Sequence, residues 1–168
     1  MRRKSLVITQ GEYATGGDPE VSISTLLGSC VACCYWDPIA RVGGMNHILL
    51  AARTRQAAHC DQAGVNAMEL LINALLKKGA LRGRLQAKLF GGAQMISGLS
   101  DIGATNCAFA LDYLERENIP CISQSLGGDK ARHLIFWPST GSVKLKIQHG
   151  TFPPVKEAVE TGNALELF

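Results

Sequence analysis

The sequence predicts an α/β (α+β) sandwich, a mixed β-sheet built partly from antiparallel hairpins, with helices on the outer faces. Three observations carry this reading. Short runs rich in β-branched and aromatic residues lie on either side of tight turns, most clearly residues 26–36 and 42–50 around Asp37-Pro38-Ile39-Ala40-Arg41. Two longer segments repeat apolar residues at helical spacing. Strands joined by tight turns pair antiparallel, and interleaved helices must cover a sheet face, so the sheet is mixed and the helices lie outside it.

The 168 residues, 46% of them hydrophobic, suffice for one domain over 1–168 that buries its core without disulfides or metals. A net charge of +3 is scattered without a basic run, which gives no sign of nucleic-acid binding. Met1-Arg2-Arg3-Lys4 precedes only four apolar-leaning residues, too few for a signal peptide, and no stretch reaches membrane-spanning length. A cytoplasmic protein with reduced thiols is therefore expected, and Cys33, Cys34, Cys107 and Cys121 read as buried filler.

In chain order, residues 4–10 form a first short strand, 11–19 a loop turning at Gly16-Gly17-Asp18-Pro19, and 21–27 a lead into the hairpin. Residues 51–64 are polar and read as an exposed loop. Residues 65–78 form an amphipathic helix presenting Met68, Leu71, Ile72, Leu75 and Leu76, with Lys77 and Lys78 in its last turn and Gly79 as its cap. A strand over 85–90 ends on Gly91-Gly92. A second helix over 103–117 presents Ala110, Leu111 and Leu114 and stops before Asn118 and Pro120. A strand over 121–126 and a closing hairpin of 134–137 with 142–148 follow. The tail from Gly150, with Pro153-Pro154 and a helical pattern over 155–160, carries no signal and is expected to be mobile.

Chemistry concentrates in the first hairpin. If Asp37 and Val42 close the turn, opposed residue numbers sum to 79, which sets Ala32 against His47 and makes Cys30 and His47 diagonal neighbours on one face. A bulge at Gly43-Gly44 would separate them. An imidazole beside a thiol can take its proton, lower its pKa and so activate the nucleophile. Gly28 and Ser29 let backbone N–H groups approach a developing oxyanion. Together these residues sketch a cysteine acyl-transfer site.

The run Leu27-Gly28-Ser29-Cys30, with Tyr35-Trp36-Asp37-Pro38 and Gly43-Gly44-Met45-Asn46-His47, resembles the CheD family of chemoreceptor glutamine deamidases. Further matches follow in family order at Lys88-Leu89-Phe90-Gly91-Gly92-Ala93, Ile102-Gly103-Ala104-Thr105-Asn106, Gly127-Gly128-Asp129-Lys130-Ala131-Arg132 and Thr140-Gly141. The resemblance implies a Cys30–His47 deamidase that converts receptor glutamines to glutamates without a cofactor. Its implied partners are the cytoplasmic domain of a methyl-accepting chemoreceptor and the phosphatase CheC. The family's third catalytic residue is a threonine upstream of the cysteine; here Ser24 stands six before Cys30, with Thr25 beside it. Either hydroxyl can orient the imidazole, and strand parity with Cys30 favours Ser24.

Other readings are weaker. Cys30-Val31-Ala32-Cys33 has redox or zinc spacing, but on a strand the two thiols face opposite ways, and His59-Cys60 has no partners to complete a metal site. Gly91-Gly92 and Gly127-Gly128 read as strand-end turns rather than phosphate loops, and His133 and His149 lack a nearby nucleophile. A different class of function, a non-catalytic chemotaxis adaptor binding receptor or phosphatase, would have no need of a nucleophile–base pair.

Overall fold

The computed structural model describes residues 2–95, 101–148 and 165–168. Two five-stranded mixed sheets are stacked, and helices cover one of them. The first sheet runs β1-β3-β8-β9-β10, from β1 (Lys4–Val7), β3 (Val21–Leu27), β8 (Arg132–Trp137), β9 (Ser142–Ile147) and β10 (Leu165–Leu167). The second runs β2-β5-β4-β6-β7, from β2 (Tyr13–Gly16), β5 (Val42–Asn46), β4 (Val31–Asp37), β6 (Gln86–Gly91) and β7 (Cys121–Leu126). Helices α1 (Arg55–Ala58), α2 (Gln62–Lys77) and α3 (Ile102–Arg116) complete the chain, with α2 and α3 packed on the second sheet.

Strand β4 is central because both its faces are buried. Val31, Cys33 and Tyr35 pack under the helices with Met68, Leu71, Ile72, Leu75 and Phe109. Ala32 and Cys34 face the other sheet with Ile23, Leu27, Phe90, Leu134 and Phe136. A strand covered on two faces has no polar alternation, which is why Val31-Ala32-Cys33-Cys34-Tyr35-Trp36 reads as a continuous apolar run. The same alternation sends Cys33 to the helix side while Cys30 packs on the inter-sheet side, so the C-x-x-C spacing joins no pair.

The hairpin keeps the predicted register. Asp37↔Val42, Trp36↔Gly43, Tyr35↔Gly44 and Cys34↔Met45 are paired, and the isolated bridge Val31↔Ile48 continues the same sum of 79. Gly43 and Gly44 introduce no bulge; they serve close packing. A Cβ on Gly43 would stand 2.7 Å from the Tyr35 carbonyl oxygen, and one on Gly44 2.7 Å from Leu71 Cδ1 and 2.8 Å from the Ala14 carbonyl oxygen.

Several expectations are corrected. Residues 11–19 contain β2, whose backbone pairs antiparallel with β5 although its own sequence is short and glycine-bounded. Residues 51–64 hold α1 and the start of α2, because Asp61 caps α2 by accepting from Gly64 N at 2.8 Å, four residues before the apolar pattern begins. Helix α3 begins at Ile102 behind the Asp101 cap, and Leu111 is 39% exposed while Phe109 and Tyr113 are buried. The helices lie outside the sheets as expected, on the outer face of the second one. At the C-terminus Leu165–Leu167 adds an edge strand to β9, and the Phe168 ring stands edge-on to Phe90 at 5.4 Å. The helical pattern over 155–160 and His149 lie outside the described residues.

Of the expected filler thiols, Cys33 and Cys34 are buried, whereas Cys107 and Cys121 are half-buried; Cys60 is exposed, and all six are free. Gly91 and Gly127 lie at neighbouring strand ends, joined by Gly127 N to the Gly91 carbonyl at 2.9 Å, as strand-end turns require.

Candidate active site

His47 is placed by backbone bonds on both sides. Its N–H donates to the Glu12 carbonyl at 3.1 Å and its carbonyl accepts from Gly11 N at 2.9 Å, while the next residue, Ile48, bridges to Val31. One rung of the hairpin ladder is carried by a side chain, since Asn46 Oδ1 accepts from Cys33 N at 2.9 Å. His47 therefore stands across from Ala32, and Cys30 is one step beyond Val31, as the turn arithmetic required.

The hydroxyl that meets the imidazole belongs to Thr25. Its Oγ1 lies 2.7 Å from His47 Nδ1 and also donates to the Ile8 carbonyl at 2.8 Å. The parity argument for Ser24 assumed one continuous strand from 24 to 30. The chain instead leaves β3 at Leu27, bends through Gly28-Ser29-Cys30, and enters β4 in the opposite sheet, so parity is not carried across. On β3, Thr25 shares its face with Ile23 and Leu27, which point between the sheets, and Ser24 points away from them.

This pair fixes the tautomer. The Ile8 carbonyl can only accept, so the Thr25 proton goes there and Thr25 Oγ1 accepts from a protonated Nδ1. Nε2 is left with its lone pair. Burial lowers the His47 pKa below its ordinary 6.5, opposed by the nearby Glu12 charge, so the ring rests neutral near pH 7. Burial also pushes the Cys30 thiol up to about 11. The expectation that the imidazole lowers the thiol pKa is thus reversed: desolvation disfavours the thiolate, and both groups rest neutral.

The Cys30 loop is held from below. The Gly28 carbonyl accepts from Ala93 N at 3.0 Å, the Ser29 carbonyl from Asn106 Nδ2 at 2.7 Å, and the Cys30 carbonyl from Gly92 N at 2.8 Å. Gly91, at φ +111, allows this approach, because a Cβ there would fall 2.2 Å from the Cys30 carbonyl oxygen. Asn106, 1% exposed, also accepts from Leu50 N at 3.1 Å. Sequence reasoning had Asn106 only as part of a family match, and its polar side chain at a core-facing helix position was the available signal.

Among the described residues no group of three or more His, Cys, Asp or Glu side chains is placed to hold a metal. A cleft of about 710 Å³ lined by Arg55, Gly92, Asp101, Cys107, Gly127 and Asp129 includes none of Cys30, Thr25 or His47. No described helix is long and apolar enough to cross a membrane.

The fold is an α+β sandwich in which the Cys30 thiol packs on the inter-sheet side and the Thr25 hydroxyl meets the His47 imidazole. The chain belongs to the CheD family: residues 50–147 match the family model described as CheD chemotactic sensory transduction. A Caulobacter sp. (strain K31) protein named "Probable chemoreceptor glutamine deamidase CheD" is 49% identical over 142 residues, covering 83% of this chain and 76% of that one. An Agrobacterium fabrum protein of the same name is 46% identical over 159 residues, covering 94% and 88%. A solved Neisseria meningitidis protein of the DUF152 family aligns at TM-score 0.45 and 10% identity over 75% of this chain and 64% of that one.

Proposed function

We infer that this chain is a chemoreceptor glutamine deamidase, a protein-glutamine glutaminase with Cys30 as nucleophile, His47 as general base and acid, and Thr25 orienting His47. The supporting observation is the Ile8–Thr25–His47 hydrogen-bond chain, which leaves Nε2 as a neutral base on the sheet face that Cys30 borders.

With thiol and imidazole both neutral, proton transfer accompanies attack. Nε2 takes the thiol proton as Sγ bonds to the side-chain amide carbon of glutamine, and the carbonyl oxygen becomes an oxyanion. The intermediate collapses by breaking the C–N bond, with the imidazolium giving its proton to the departing ammonia. Neutral His47 then takes a proton from water, whose oxygen attacks the thioester carbon; the Sγ–C bond breaks and the imidazolium returns the proton to sulfur. The product is glutamate, and no cofactor enters.

The substrate is the cytoplasmic domain of a methyl-accepting chemoreceptor, which places the enzyme in the cytoplasm, and CheC is the proposed protein partner where the cell has it. The names of the relatives at about half identity support the receptor as substrate. Incubating the protein with a purified receptor cytoplasmic fragment tests this: ammonia release with a matching glutamine-to-glutamate mass change is expected. Binding without ammonia release would favour the adaptor reading.

A further inference from the structure

We propose that Asn106 is the positioning residue of the oxyanion hole, acting by fixing the orientation of the Ser29–Cys30 peptide. This rests on the deamidase reading above and extends it to a residue on a helix outside the nucleophile hairpin.

The inference follows from peptide geometry. In a trans peptide the C=O and the N–H of the following residue point in opposite directions. The Ser29 carbonyl and the Cys30 N–H belong to one such plane. Asn106 Nδ2 holds that carbonyl toward α3 at 2.7 Å, so the Cys30 N–H points away from the helix. The preceding plane is held in the same way, with the Gly28 carbonyl on Ala93 N at 3.0 Å directing the Ser29 N–H outward. Among the described residues neither of these two N–H groups donates to a protein acceptor. Two adjacent backbone donors beside the nucleophile, turned outward and unspent, are what an oxyanion hole needs.

Asn106 is suited to the task because its amide both donates and accepts. Oδ1 takes the N–H of Leu50, three residues after His47, at 3.1 Å, while Nδ2 takes the Ser29 carbonyl. One buried side chain thus ties the segment carrying the base to the loop carrying the nucleophile. The Asp101 cap and the buried Phe109, Ala110 and Tyr113 on α3 keep that side chain from moving.

The two functions of the loop can be separated by chemistry. Deamidation develops an oxyanion on a carbonyl; alkylation of Cys30 by iodoacetamide is a displacement at carbon that develops none. Asn106→Asp keeps the acceptor for Leu50 N and removes the donor to Ser29, and Asn106→Ala removes both. In either variant we expect kcat for receptor deamidation to fall by about 10²-fold, the usual loss for one oxyanion donor, with little change in KM. The rate of Cys30 alkylation, read by peptide mass spectrometry, is expected to stay near that of the parent protein. Parallel loss of both rates would overturn the proposal, as would unchanged kcat. Labelling of buried Cys33 and Cys34 reports misfolding; if it occurs in both variants, Asn106 is a structural tie and the proposal is overturned. The parent protein's own ammonia release tests the deamidase reading separately.

Discussion

Thr25 Oγ1 and His47 Nδ1 meet at 2.7 Å although Thr25 lies on β3 of the first sheet and His47 directly follows β5 of the second. That contact joins the two layers at the proposed site and selects the imidazole tautomer. Its strength depends on the Ile8 carbonyl, which takes the Thr25 proton.

Thr25→Ala is expected to lower kcat more than Ser24→Ala, because only the first frees the imidazole to turn and to exchange tautomers. Thr25→Ser keeps the oxygen and should retain most of the rate. Steady-state ammonia release by the three variants checks the order, and a larger loss in Ser24→Ala would reverse the assignment.

His47→Ala should reduce deamidation by roughly 10²–10⁴-fold, the usual contribution of a positioned general base. Because β5 and the Val31↔Ile48 bridge do not depend on the ring, far-UV circular dichroism should be unchanged. Near-normal turnover would remove His47 from the mechanism.

The pH profile has a predictable sign. His47 is lowered from 6.5 by burial, so kcat/KM should hold as pH falls to 6.5 and decline only below it. The stability that this group contributes is present above 6.5 and lost as pH falls through the lowered value. For Cys30, raised by burial to about 11, the contribution is present below 9 and lost as pH rises through about 11. Iodoacetamide should therefore label exposed Cys60 before Cys30 near neutral pH, with Cys30 labelling accelerating as pH rises toward 11. Fast Cys30 labelling at neutral pH would show an activated thiolate instead.

Gly91→Ala should damage both stability and activity. A Cβ there would meet the Cys30 carbonyl oxygen at 2.2 Å, and φ +111 is strained for alanine. Displacing that carbonyl breaks its bond to Gly92 N, so the midpoint of thermal unfolding and kcat should fall together. Gly83→Ala, with nothing within 4 Å, is the neutral control.

Asp37 closes the hairpin turn and is fully buried, accepting from Ile39 N, Ala40 N, Leu81 N and Arg84 Nε. Burial pushes its carboxyl up, but the hydrogen bonds from Ala40, Leu81, Arg84 and Ile39 outweigh this and hold it below the usual value. Asp37→Ala should cost about 3 kcal/mol or more, since four donors lose their acceptor. Urea unfolding measures it, and in the parent protein the Asp37 contribution should fade as pH falls below the ordinary carboxylate range.

Local pattern made much of the molecule legible. The β4–β5 register followed from the length of the turn at Asp37, and with it the placement of Cys30 relative to His47. The two long helices followed from apolar spacing, and most strand positions from alternation and turn residues. Those are properties of neighbours in sequence, where backbone geometry leaves few choices.

Where the sequence misled, the deciding contact was distant. Strand β2 exists because β5 offers it a partner, and β10 because β9 does; neither carries enough pattern alone. Thr25 displaced Ser24 because the bend at Gly28-Ser29-Cys30 moves the chain from one sheet to the other, which resets the parity that local reasoning carried through. The raised Cys30 pKa arises from burial, and the three carbonyls of its loop are pinned by Gly92, Ala93 and Asn106, 62–77 residues further along the chain. Chemical identity and short-range register are written in the chain, whereas desolvation and the choice of hydrogen-bond partner depend on which remote surfaces close around a group, and only the folded sandwich decides that.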